Sequence, residues 1–302
     1  MKKVFLIALG LFMTCAAFAQ EYHTHYQSKT EPQTLLPIGA APRSTRQEII
    51  LPKVNGYNLY SADLHIHTTY SDGVLNVKGR TDEAWRDGLD IIVATDHMSI
   101  RPVKGTEGQQ TPADVVAKRG ARVAKAVTDV VKMAEKYGLL VIPGVELTGD
   151  AKTQGHFNAL FTTDNNTIHD EDPMQAFRNA HAQGALVMNN HPGWRRQNLD
   201  MSEPERKAYA AKLIDGVEVM NGGEFYPRVI DYAIEQGVFI ASNTDIHGSS
   251  AEEYFVTTEG AVMRNMTFIF AKDKSLPSLK EALKARRTLA YSFGTIAGEA
   301  AL

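Results

Sequence analysis

Cysteine is almost missing from this 302-residue chain. The one example, Cys15, lies in the N-terminal stretch "MKKVFLIALGLFMTCAAFAQ". Once that stretch is removed no thiol remains, so disulfides and thiolate ligands are excluded, and a metal site would have to be built from His, Asp and Glu. Lipidation of Cys15 is disfavoured by Thr14 in front of it, where a small residue is needed. Long hydrophobic runs are also absent. The N-terminal apolar run falls short of the roughly 20 residues that span a bilayer. With Lys2 and Lys3 before it and Ala17-Phe18-Ala19 after it, the run reads as a secretory signal peptide, residues 1–19. The expected location is therefore secreted or periplasmic, with no membrane attachment after cleavage. No long basic tract occurs, and the net charge of −3 becomes −5 without Lys2 and Lys3, which disfavours bulk nucleic acid as a partner. A small anion held by a few local cations stays open. With 43% hydrophobic and 22% charged residues the chain is neither disordered nor collagen-like, and it can bury a large core.

What is present begins with residues 20–55, polar and proline-containing, read as a flexible leader in which "RQEIILP" forms an edge strand. From residue 56 to 302 short apolar runs alternate with helical patterns. "LYSADLHIH", "DIIVATD", "LLVIPGVE", "HFNALF", "ALVMNN", "GVEVMN", "GVFIASNTD" and "MTFIFA" are candidate strands. "ADVVAKRGARVAKAVTDVVKMAEKYG" is a helix closed by a Gly C-cap, and "LPSLKEALKARR" is a closing helix. This rhythm marks an α/β protein, and a closed parallel barrel fits better than an open doubly wound sheet.

The polar residues that end these runs carry the functional signal. In a strand, residues two apart share a face about 7 Å from one another, so His65 and His67 of "DLHIHTTYSDG" project together while Leu64 and Ile66 face the other way. Alone the pair is weak: His23 and His25 repeat its spacing in the leader, which supplies no fixed geometry. Recurrence strengthens it. "TDH" brings Asp96 and His97, "PGVE" Glu146, "GHF" His156, "NNHPG" His191, and "NTDIHG" Asp245 and His247. Any one of these histidines is readily a satisfied core residue. A coincidence at six strand ends is a different matter, because barrel strands deliver their C-terminal ends to one mouth. His156 is the poor fit, since it begins its run. His169 and His181 read as solvated surface.

Taken together and in order, "DLHIHTTYSDG", "ATDHMSI", "IPGVE", the histidine of "GHF", "NNHPG" and "TDIHG" resemble the PHP family, named for its polymerase and histidinol-phosphatase members, over roughly residues 58–295. The resemblance implies a distorted (β/α)7 barrel with two or three divalent ions, Zn, Mn or Fe, at the C-terminal ends of the strands. It implies that His65, His67, Glu146 and Asp245 surround a first ion, that Glu146 bridges to a second held by His156 and His191, and that Asp72, His97 and His247 hold a third. Some members carry histidine where this chain has Asp72, so the third site is expected to be weaker or differently selective. Eight candidate strands against seven staves also place one run outside the barrel.

Imidazole and carboxylate ligands suit Lewis-acidic ions, and two ions about 4 Å apart activate a shared water for in-line attack on phosphorus. The expected function is a metal-dependent phosphoesterase acting on small phosphate monoesters or diesters, nucleotides included. A metal-dependent amidohydrolase and a metal-binding barrel without turnover are the alternatives. Glu146 and Asp245 are the expected catalytic carboxylates. Asp96 is expected to orient a neighbouring histidine, to protonate the leaving group, or simply to cap its loop. Arg195 and Arg196 of "HPGWRR" are candidate clamps on phosphate oxygens, against the plainer reading as surface arginines over Trp194. The segments "MSIRPVKGTEGQQTP" and "PGWRRQNLDMSEPER" would overhang the mouth and select substrate. Oligomeric state is not legible.

Overall fold

A computed structural model describes residues 46–101, 112–254 and 264–299. Residues 1–45, where the signal peptide and most of the leader with His23 and His25 are expected, and positions 102–111 of the first segment expected to overhang the mouth lie outside the described residues. Among the described residues no helix is long and apolar enough to cross a membrane.

The chain builds one mixed sheet with helices packed on it. All eight candidate strands are present: β1 (Asn58–Ile66), β2 (Ile91–Ala94), β4 (Leu140–Thr148), β5 (His156–Leu160), β6 (Leu186–Asn189), β7 (Gly216–Asn221), β9 (Phe239–Asn243) and β10 (Met266–Ala271). Four short ones went unforeseen: β3 (His97–Ser99), β8 (Glu224–Phe225), β11 (Thr288–Ser292) and β12 (Thr295–Gly298). The helices are α1 (Val77–Arg86), α2 (Pro112–Ala134), α3 (Pro173–Ala182), α4 (Glu203–Ala210), α5 (Pro227–Gln236), α6 (Ser250–Glu253) and α7 (Leu276–Lys284). Past α2 a 3-10 turn runs into Gly138, whose φ of +67° makes it the left-handed cap that its position promised. "RQEIILP" forms no strand; its Gln47 N–H bonds the Arg86 carbonyl instead.

The pairing β1-β2-β4-β5-β6-β7-β9 curls the sheet until its ends approach, joined by a bridge between Ile66 and Ile246 and by the Asp245 N–H on the His65 carbonyl. Contacts across the curl form an enclosed apolar cluster. Leu64 of β1, Val93 of β2, Ile142 of β4, Leu160 of β5, Met188 of β6 and Ala241 of β9 all meet there. Only side chains on the concave face of a curled sheet can do this. The eighth run, β10, pairs antiparallel with the free edge of β1 and continues into β11 and β12.

Two details depart from the sequence reading. The sheet is not wholly parallel, because β5 runs antiparallel to both β4 and β6. Leu64 and Ile66 do not share a face either. A register shift between Asp63 and Ile66 sends Leu64 into the enclosed cluster, while Ile66 packs outside with Val77, Ala84 and Ile92. A bulge of this kind re-aims side chains next to functional sites. Here it sets the apolar Leu64 and the polar His65 on the same concave side, one layer apart.

Candidate metal centre

Seven of the nine candidate ligands sit at or within two residues of a strand end. His65 is the penultimate residue of β1 and His67 follows it; His97 opens β3; Glu146 lies near the end of β4; His191 and Asp245 come two residues after β6 and β9. His156 joins them because β5 is reversed, which brings its first residue beside Thr148 at the end of β4. The poor fit of His156 thus has a topological cause. Asp72 and His247 reach in from loops, and Gly73 next to Asp72 has no room for a side chain: a Cβ there would lie 2.8 Å from the His67 carbonyl.

All nine residues converge. Ligand atoms fall within 4.8 Å of one another in four overlapping groups: His65, His67 and Glu146; His65, His191 and Asp245; Glu146, His156 and His191; and His67, Asp72, His97 and His247. Glu146 is at the centre, with Oε1 3.1 Å from His156 Nδ1 and 3.6 Å from His65 Nε2, and Oε2 against His97. Asp245 Oδ1 lies 2.9 Å from His67 Nε2 and 3.1 Å from His65 Nε2.

The electrostatics follow from this crowding. Burial would raise the Glu146 carboxyl, yet His97, His156 and His65 around it hold it well below its ordinary value. Asp245 is likewise held down by His65 and His67 against its burial. Burial disfavours charge on His65 and His191, but the carboxylates win, and both imidazoles titrate above their usual range. His67 goes the other way, pushed by burial down to about 4.

A cation suits this pocket. His156 Nε2 is buried without a hydrogen-bond partner, and His65 Nε2 makes no aligned hydrogen bond although Asp245 Oδ1 lies 3.1 Å away, states that metal coordination would relieve. His65 is already set for the task, since its Nδ1 is taken by Glu218 Oε1 at 2.9 Å and leaves Nε2 facing the cluster. His247 Nδ1 is fixed in the same way by the Asp245 carbonyl at 2.8 Å.

Glu218 was missed from sequence although it organises the floor of the centre. Beyond His65 it accepts the His191 N–H at 2.7 Å and the side chains of Asn221 and Asn243. The signal existed in "GVEVMN": Val217 and Val219 pack outward, so the acid between them must point inward. Asn190, hydrogen-bonded to Glu146 Oε1 at 3.2 Å and to Asn158, was missed as well.

Several assignments need correcting. Asp96 does not face the centre as an acid. Its two oxygens accept from the Thr68 N–H, the Thr68 hydroxyl and the Ser71 hydroxyl, which makes it the cap of the loop after β1. Through Ser71 it also reaches a neighbouring histidine, His67. Arg196 is no free clamp: it pairs with Glu205 at 2.7 Å and donates to the Ala151 carbonyl, with 9% of its side chain exposed. Arg195 remains exposed, its guanidinium 4.4 Å over the Trp194 ring, and that ring borders His156 and His191. His181 pairs with Asp215 at 3.0 Å, and His169 is half-buried with an unpartnered Nε2, so neither is merely solvated.

A curled α/β sheet whose strand ends and adjoining loops gather six imidazoles and three carboxylates has the donor set of a metal-binding protein. The chain belongs to the PHP domain family, whose profile matches residues 63–238. A two-domain protein from Bacteroides vulgatus containing a predicted PHP-like metal-dependent phosphoesterase is 34% identical, with a TM-score of 0.69 over 82% of this chain and 69% of that one. Two further solved structures are more distant. An amidohydrolase from Chromobacterium violaceum is 15% identical, with a TM-score of 0.44 over 64% of this chain and 89% of that one. A lesion-specific endonuclease from Pyrococcus furiosus is 14% identical, with a TM-score of 0.45 over 75% and 56%. No curated protein matches the chain.

Proposed function

We propose that this protein is an exported phosphoesterase, secreted or periplasmic, that hydrolyses small phosphate monoesters or diesters with two or three divalent ions. In this reading β1, β2, β4, β5, β6, β7 and β9 are the seven barrel staves, and the ions sit where their ends meet. The observation that carries it is the convergence of nine His, Asp and Glu side chains around Glu146, with buried imidazole nitrogens left without an aligned hydrogen bond. His65, His67, Glu146 and Asp245 would hold one ion, Glu146, His156 and His191 a second, and His67, Asp72, His97 and His247 an outer one. Zn, Mn or Fe held there would supply Lewis acidity and an activated water nucleophile.

The chain's own residues do the rest. Glu146 and Asp245, kept ionised by their histidines, balance only part of the ions' charge, so the mouth favours an anion over a neutral substrate. Glu218 and Asn190 fix ligand orientation in advance of binding. Arg195, exposed over the Trp194 ring that borders His156 and His191, would meet a phosphate oxygen. The test is hydrolysis of matched aryl phosphate monoester, aryl phosphate diester and aryl carboxamide substrates by protein loaded with Mn or Zn, beside a chelated control. Chelator-sensitive turnover of either phosphate supports the reading. Turnover confined to the carboxamide, or unaffected by chelation, overturns it.

A further inference from the structure

Arg80 lies on α1, in none of the segments that carry candidate ligands, yet it reaches two of them. Its side chain is 2% exposed. Nε donates to the His67 carbonyl at 3.0 Å, while Nη2 donates to the Gly248 carbonyl at 2.6 Å and the His247 carbonyl at 3.3 Å. Nη1 pairs with Glu83 one turn further along α1, and the other oxygen of Glu83 takes the Ser250 N–H at the start of α6. One guanidinium therefore ties the exit of β1 to the loop that follows β9. Those two segments supply His67 and His247, half of the outer group completed by Asp72 and His97.

A buried guanidinium is expensive unless its donors are satisfied, and a helix packing on a sheet needs no charge for adhesion. Of the other buried residues of α1, Val77 and Ala84 pack with Ile66 in the ordinary apolar way, Thr81 bonds back to the Val77 carbonyl of its own helix, and Glu83 is the partner of Arg80 itself. The donors of Arg80 go to the carbonyls of His67, His247 and Gly248, with a longer contact of 3.4 Å to that of Ile246. The backbone begins the same link, since the His247 carbonyl also accepts the Val74 N–H and the Ile246 carbonyl the His67 N–H, and the guanidinium closes it from the side of α1. The guanidinium fork suits this because it holds several acceptors at fixed mutual angles. The inner group is steadied by other means, through Glu218 on His65 and Asn190 on Glu146.

We propose that Arg80 is a positioning residue for the outer ion: by fixing the His67 and His247 carbonyls to one guanidinium it sets the spacing of those two ligands, and with it the occupancy of the outer site, which takes both, ahead of the inner one, which takes only His67. This rests on the reading that the outer group binds an ion. The readouts are metal content after dialysis against a weak chelator and the Co(II) absorption spectrum during titration. They are taken on the wild type, Arg80→Gln, Arg80→Lys, Glu83→Gln, and Leu279→Ala as a destabilised control in α7.

The wild type should retain three ions. Arg80→Gln should retain two, with the outer affinity about 10- to 100-fold weaker, the effect usual for a lost partner of a ligand. Arg80→Lys should fall between them, and Leu279→Ala should keep three. Should Arg80→Gln not fold, Arg80→Lys and Glu83→Gln carry the same ordering. Three ions held with wild-type affinity in the Arg80 variants, or loss of the same ion from Leu279→Ala, would overturn the proposal. A wild type with two ions would reject the outer ion itself, a result distinct from failure of Arg80, and a wild type with none would reject the metal reading.

Discussion

Two halves of the candidate metal centre are built on different foundations. His65, Glu146 and His156 lie within the strand ladders and are closed from solvent, whereas Asp72 and His247 hang from loops with 61% and 35% of their side chains exposed. The inner ligands inherit their spacing from hydrogen bonds that the fold needs anyway. The outer ones depend on the turn after β1, on Gly73 and on Arg80. This contrast teaches that one cluster can combine a fixed binding core with an adjustable rim, so exchange or loss of metal should begin at the rim.

Glu146→Gln should break the inner half outright. It removes the charge that two ligand groups share, and both turnover and metal content should fall to background while circular dichroism reports an intact fold. Substantial activity in that variant would remove Glu146 from its bridging role. A smaller effect is expected from Glu218→Gln, because the ligand survives and only its orientation is lost; about 10- to 100-fold in activity or metal affinity is the usual cost of such a change. Asp72→Asn should cost on the order of tenfold and be reversed by excess metal, since the inner ligands stay in place. A loss that excess metal does not restore would erase the distinction between core and rim.

Proton competition separates the halves in another way. In the ion-free protein His65 and His191 stay protonated above the normal imidazole range, and a protonated imidazole cannot ligate. Apparent affinity at the inner group should therefore rise with pH through and beyond that range, with protons released on binding. Calorimetry in buffers of different ionisation enthalpy measures this, and a pH-independent affinity would contradict it. His67, held near 4, contributes no such competition at neutral pH. The smallest catalytic effect belongs to Arg196→Ala. It should leave KM unchanged and instead lower stability, by about 3–5 kcal/mol if Glu205 is stranded as a buried unpaired charge. A raised KM at unchanged stability would restore Arg196 as a clamp.

The strands and the convergence of the candidate ligands were legible because both depend on local pattern: apolar runs of strand length, each ending near a residue able to bind metal. Direction was not legible. Nothing in "HFNALF" says that β5 runs backwards, since an alternating strand reads alike in either sense, and only the pairing with β4 and β6 shows why His156 belongs at the mouth. Long-range partners were equally hidden. Arg196 looks like a phosphate ligand until Glu205 and Ala151 are seen beside it, and Asp96 looks like an acid until Thr68 and Ser71 fill its oxygens. Glu218 was the avoidable omission, an acid between two outward-facing valines.

His191 and Asp245 share an unusual backbone: their φ angles, +27° and +54°, fall in the left-handed region where glycine is at ease and other residues pay. Each follows a strand end, where the reversal turns its side chain toward the other ligands. Glycine at either position would relax the chain and remove a ligand in the same stroke. Selection for thermal resistance alone would therefore push these two positions toward a sturdier, inert protein, and a gain in melting temperature from Asp245→Gly would mark how much stability the fold forgoes to keep its chemistry.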